Sequence, residues 1–130
     1  MSSETRYFDL QEANRAVVVI RPLMSEVQEI RDLILHEQPE VWSAVRSAAG
    51  NGGNPALSQL VEHFERVRHL IQEIQRTGAI VKDIDQGLVD FPALRQEAEV
   101  YLCWKHGEPG VLFWHELEAG FAGRQPIDGF

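Results

Sequence analysis

Cysteine is nearly missing from this chain. Cys103 is the only one among 130 residues, so no internal disulfide can form, and a reducing, cytoplasmic compartment is expected. Long apolar runs are missing too: none approaches the roughly 20 residues that cross a bilayer. The N-terminal MSSETRYFDL has acid and hydroxyl residues where a signal peptide needs a basic end and an apolar stretch. Basic charge is short as well, with 12 bases against 20 acids and a net charge of −8. Without a basic stripe to neutralise phosphates, neither nucleic acid nor an anionic membrane surface is an expected partner. Lysine is the scarcest base: ten of the twelve are arginine, leaving Lys82 and Lys105. Their retention fits a use for a compact, titratable ammonium, and with only two cases chance explains it about as well.

What remains is an ordinary globular composition, with 44% hydrophobic and 25% charged residues in a length that suits one domain. Its two parts differ. Residues 1–78 carry 11 acids and 8 bases, and residues 79–130 carry nine and four, so the second part is the more acidic.

Asp9-Leu10-Gln11-Glu12 reads as a capping box. Apolar residues then recur in steps of three and four at Leu10, Ala13, Val17, Ile20, Met24, Val27, Ile30 and Ile34, which predicts one long amphipathic helix to about His36. Pro22 inside it is expected to bend it. Pro39 to Ala49 suits a short helix with Val41, Trp42 and Val45 inward, and Gly50 to Gly53 a loop. Asn54-Pro55 is a good helix start, Leu57, Leu60, Phe64, Val67, Ile71 and Ile74 form a second stripe, and Gly78 suits the stop. Two such helices predict an antiparallel hairpin over residues 1–78.

After Gly78 the period becomes two. Ile80 to Asp85, Glu99 to Lys105 and Val111 to Trp114 read as strands, with a turn at His106 to Gly110. Asp85-Gln86-Gly87 has turn composition; Asp90 joins Asp83 and Asp85 if the chain doubles back at Gly87, and equally suits a cap on a turn at Pro92 to Arg95. Gly120 to Phe130 reads as a loop. The fold class predicted is α+β: a helical hairpin packed on a small antiparallel sheet, with a C-terminal loop over it.

Residues 80–127 hold the chemistry. Asp83 and Asp85, two apart on a strand, would share a face and hold a hard cation or divide acid and base roles; an exposed face or turn explains them as well. His115, beside Glu116 and Glu118, offers a ligand or general base. Cys103 reads first as a small buried hydrophobe, with Lys105 and His115 as candidate activators. Arg124, among glycines, can clamp a carboxylate or phosphate or neutralise nearby acids, and Trp104 and Trp114 can line a pocket or fill a core. No His-x-His, Cys-x-x-Cys or His-Glu-x-x-His is present.

The segments Tyr7-Phe8-Asp9, Val81 to Asp85, Gly87 to Pro92, Glu99 to Trp104, Gly107-Glu108-Pro109, Trp114-His115 and Gly120 to Arg124 with Gln125-Pro126-Ile127 make the chain similar to a known family. It is an uncharacterised family of small bacterial proteins, designated a domain of unknown function, and the resemblance covers nearly the whole chain. It implies a bacterial cytoplasmic protein and brings no established activity.

Two functional classes remain. A non-enzymatic binding or assembly module recognising through the 80–127 face needs fewer coincidences. The alternative is a metal-assisted hydrolase or related enzyme using Asp83, Asp85, Asp90 and His115. A functional centre is expected to gather Asp83, Asp85, Asp90, Arg95, Trp104, His115 and Arg124 in one concavity, as an arginine-paired network rather than a cation site. No cofactor is required; if one is bound, a divalent metal at Asp83, Asp85 and His115 is the candidate. A homodimer is expected, because three strands are too few to cover two long helices. The sequence specifies neither a small ligand nor a protein partner.

Overall fold

Asp9 and Glu12 open the first helix reciprocally. The Glu12 N–H donates to Asp9 Oδ1 (2.7 Å) and the Asp9 N–H to Glu12 Oε1 (2.9 Å), satisfying two otherwise unpaired donors. The computed structural model of the protein describes residues 6–37, 42–43, 46–47 and 61–130. Helix α1 (Leu10–Glu37) continues through Pro22, and α2 spans Val61–Arg76. Glu26 on α1 accepts two hydrogen bonds from Arg66 on α2 (2.6 and 2.7 Å), while Arg6, just before α1, donates to the Thr77 carbonyl just after α2. Rising numbers therefore meet falling ones, and the hairpin is antiparallel.

The two stripes face each other. Ala13, Val17, Ile20, Met24, Val27 and Ile34 are buried on α1, and Phe64, Val67, Leu70, Ile71 and Ile74 on α2. Each large aliphatic side chain withdrawn from water contributes roughly 1.5–3 kcal/mol before chain entropy is subtracted. Gly78, at φ 103°, closes α2 in a conformation that a side chain would strain. The expected helix start at Asn54-Pro55, its Leu57 and Leu60, the Gly50 to Gly53 loop and most of Pro39 to Ala49 lie outside the described residues. Within that last stretch Trp42, Ser43, Arg46 and Ser47 are helical, and Trp42 is buried.

The sheet has five strands rather than three. β1 (Ile80–Asp83), β2 (Leu88–Arg95), β3 (Ala98–Lys105), β4 (Phe113–Glu116) and β5 (Gln125–Pro126) form an antiparallel sheet in chain order. Pro92, which suggested a turn, instead lies inside β2. A proline tolerates a strand where no ladder needs its missing N–H. β1 reaches along β2 only from Leu88 to Asp90, so beyond Asp90 that side of β2 has no β1 partner. There the Pro92 carbonyl accepts from the Phe8 N–H at 2.7 Å. Residues 88–93 are all buried, so β2 presents a continuous apolar run rather than an alternation. The expected C-terminal loop contributes the short β5 and a 3₁₀ turn at Phe121–Gly123.

One sheet face closes the core. Val89, Phe91, Ala93, Val100, Leu102, Trp104 and Trp114 form a single apolar cluster with the helix stripes, and Phe8 meets Phe91 edge-on at 5.2 Å. The helix α1 also holds the β1–β2 hairpin: Gln28 donates to the carbonyls of Ile84 and Asp85, and Arg31 to that of Asp85. No helix among the described residues is long and apolar enough to cross a membrane.

Candidate metal centre on the outer sheet face

Strand alternation sends the neighbours of the core residues outward. Asp90 on β2 stands directly opposite Cys103 on β3, and His115 on β4 stands opposite Tyr101, two residues along β3. The three side chains meet. Their ligand atoms lie within 4.8 Å of one another, and Asp90, Cys103 and His115 are 3%, 1% and 2% exposed. Polar groups buried this deeply require partners.

The imidazole orientation is fixed from behind. His115 Nδ1 lies 2.8 Å from the Glu116 carbonyl, an acceptor only, so Nδ1 carries a hydrogen and donates. Nε2 is left facing Asp90, at 3.1 Å from both carboxylate oxygens. Two lone pairs cannot face each other at that distance, so either a proton or a cation joins them. Cys103 is the third member. Burial, and next the Asp90 charge, push its thiol up to about 12, against a smaller opposing pull from Arg124. Burial thus disfavours a free nucleophilic thiolate, whereas a cation in the site would draw off the thiol proton.

Above the trio is a small cavity of about 100 Å³, bounded also by Lys82, Leu88, Leu117, Gly120 and Phe121. The segment after β4 forms its roof, and Arg124 ties the roof down. Its guanidinium donates to both carboxylate oxygens of Glu108 (2.8 and 2.7 Å) and to the Cys103 carbonyl (3.3 Å). It also stacks on Phe113 and Phe121, at 4.2 and 4.8 Å from the ring centres. Burial works against the Arg124 charge, but the Glu108 hydrogen bonds outweigh it and hold the guanidinium more firmly protonated than usual.

The seven expected site residues do not converge on one concavity. Asp90 and His115 come together, and Arg124 touches their neighbourhood through Cys103. Asp83 and Asp85 do not share a strand face, because the strand ends at Asp83 and Asp85 belongs to the turn. Asp83 Oδ1 instead accepts from the Asp85 and Gln86 N–H groups, while Asp85 accepts from Trp42 Nε1 (2.7 Å) and pairs with Arg46. Arg95 lies on the core side of β2, over the Trp114 ring at 4.6 Å, beside a separate groove of about 490 Å³. Trp104 is fully buried and donates to the Glu108 carbonyl at 3.0 Å. Cys103 was not among the expected ligands. Reading Leu88 to Arg95 as a strand would have placed it across from Asp90.

The chain belongs to the DUF2203 family of uncharacterized conserved proteins. The family model matches residues 6–127 and so includes every member of the centre. No curated protein and no solved structure matches the chain.

Proposed function

We propose that the protein is a metalloprotein that binds one divalent transition metal, zinc by its donor set, through Asp90 carboxylate, Cys103 Sγ and His115 Nε2. The observation that carries this reading is a buried carboxylate, thiol and imidazole within 4.8 Å of one another on three neighbouring strands. A thiolate disfavours calcium and magnesium, which take oxygen ligands, and together with imidazole it suits zinc. The Nδ1–H bond to Glu116 is the support that metal-bound histidines commonly have. Ligand atoms of a tetrahedral zinc with one thiolate stand roughly 3.3–3.5 Å apart by its bond lengths; His115 Nε2 and Asp90, at 3.1 Å, are already near that spacing, and only Cys103 Sγ needs to move in, by about 1 Å. Charge supports the exchange: a dication replaces the Cys103 proton and the one shared by His115 and Asp90, and the buried charge stays at zero.

Three protein ligands leave a fourth position, the arrangement of zinc centres that polarise water or substrate. This favours the metal-assisted reading, with Cys103 in place of Asp83 and Asp85. Elemental analysis of protein purified without a metal-affinity tag tests it. One zinc per chain is expected, retained through dialysis and lost in Cys103→Ala. Wild-type protein that, after reconstitution, holds no more zinc than Cys103→Ala would overturn the reading.

The assembly reading keeps one supporting observation. Val18 and Val19 of α1 are 66% and 55% exposed, and a homodimer across that ridge covers them. Light scattering giving a single chain's mass at micromolar concentration refutes the dimer.

A further inference from the structure

Resting on the metal reading, we infer that the fourth position of the centre takes a small planar oxyanion, a carboxylate or bicarbonate, guided by Lys82. The two lysines of the chain flank this site. Lys82 on β1 borders the cavity, with its ammonium 4.7 Å from the centre of the Tyr101 ring. Lys105 on β3 places its ammonium 5.5 Å from the Phe121 ring, which roofs the same cavity. Among the described residues no carboxylate forms an ion pair with either lysine, whereas Arg46, Arg66 and Arg124 each have one. With the metal, Asp90 and Cys103 summing to zero charge, the two ammonium groups leave the cavity surroundings positive in a protein of net charge −8.

Size and lining narrow the ligand. About 100 Å³ is room for a few water-sized groups, since each takes roughly 30 Å³ in the liquid. That suits an anion of about four heavy atoms better than an aromatic acid. Leu88, Leu117 and Phe121 give the cavity apolar walls, which leaves the metal and Lys82 to hold the charged end. A carboxylate spanning a metal ion and an ammonium is a charge-assisted contact at both ends. Lys82 is exposed in a short strand, so removing its side chain leaves the buried trio in place.

Cobalt substitution of the full chain provides the readout. A thiolate-to-cobalt absorption band reports the metal, and the visible ligand-field bands report the fourth position. Acetate and bicarbonate, titrated at constant ionic strength with perchlorate, are expected to shift the ligand-field bands saturably in wild-type protein. In Lys82→Ala the thiolate band should be unchanged and anion affinity at least tenfold weaker, while benzoate should fail to bind either protein. If the thiolate band forms but neither anion moves the ligand-field bands, the inference falls and the metal centre stands. Equal anion affinity in Lys82→Ala, or benzoate binding as tightly as acetate, also overturns it. If no thiolate band forms, the metal reading falls and takes the inference with it.

Discussion

Replacing Arg124 with alanine should cost about 3 kcal/mol of folding stability, and the figure can be assembled from its contacts. The Arg124–Glu108 pair is bidentate, with side chains 11% and 18% exposed. Removing one partner of a fully buried pair costs about 3–5 kcal/mol, because the other charge stays desolvated. Partial exposure, and the Lys105 N–H that still donates to Glu108 at 2.8 Å, bring this to about 2 kcal/mol. Stacking on two phenylalanines adds roughly 0.5–1 kcal/mol. For a domain of this size the loss lowers the melting temperature by about 10 °C. Glu108→Gln, which keeps an acceptor and the side-chain volume, should cost less. Urea denaturation followed by tryptophan fluorescence on the two single variants and the double variant gives the coupling between the partners, expected near 1.5–2 kcal/mol. The estimate fails if Arg124→Ala loses under about 1 kcal/mol or the coupling is near zero. Because Arg124 also ties down the roof, chelator should strip metal from Arg124→Ala faster than from wild type.

In metal-free protein Asp90→Asn should cost about 1 kcal/mol, since its amide can donate to His115 Nε2, and Asp90→Ala about 3 kcal/mol or more; equal losses in urea titrations would contradict the pairing. Asp90→Asn should nevertheless lose zinc-dependent thermal stabilisation. Metal-free stability should fall above about pH 9, because the unfolded thiol ionises there while the folded Cys103 keeps its proton to about 12. The slope contributed is at most about 1.4 kcal/mol per pH unit, and comparison of wild type with Cys103→Ala across pH 8–11 isolates it; matching slopes would refute the buried thiol. Gly87→Ala should destabilise by about 2 kcal/mol rather than stabilise. Gly87 sits at φ 68° and an added Cβ would stand 2.5 Å from His106 Cβ; a melting temperature at or above wild type would contradict it.

The helices were legible because their signals are local. The capping box needs only Asp9 and Glu12, and the three-four spacing survives whatever the stripes pack against. Parts of the sheet were legible for the same reason: Val100 to Lys105 alternates because one face meets the core and the other meets the outer cluster. β2 was hidden because burial on both faces removed its alternation and Pro92 imitated a turn. Only the pairing with β3, and the Phe8 N–H that meets the Pro92 carbonyl, show that the proline costs the sheet nothing there.

The amino-acid sequence by itself determined the helical hairpin, the change of period after Gly78, and the presence of a lone cysteine, a histidine and scarce lysines in one segment. Tertiary structure decided which of these residues meet. Asp83 and Asp85 are close in sequence but separated by the end of a strand, while Asp90, Cys103 and His115 are distant in sequence and adjacent across three strands. Strand register does that sorting. A shift of one residue between β2 and β3 would send Asp90 or Cys103 to the core face, and register is set by the whole buried face, not by the residues that form the site.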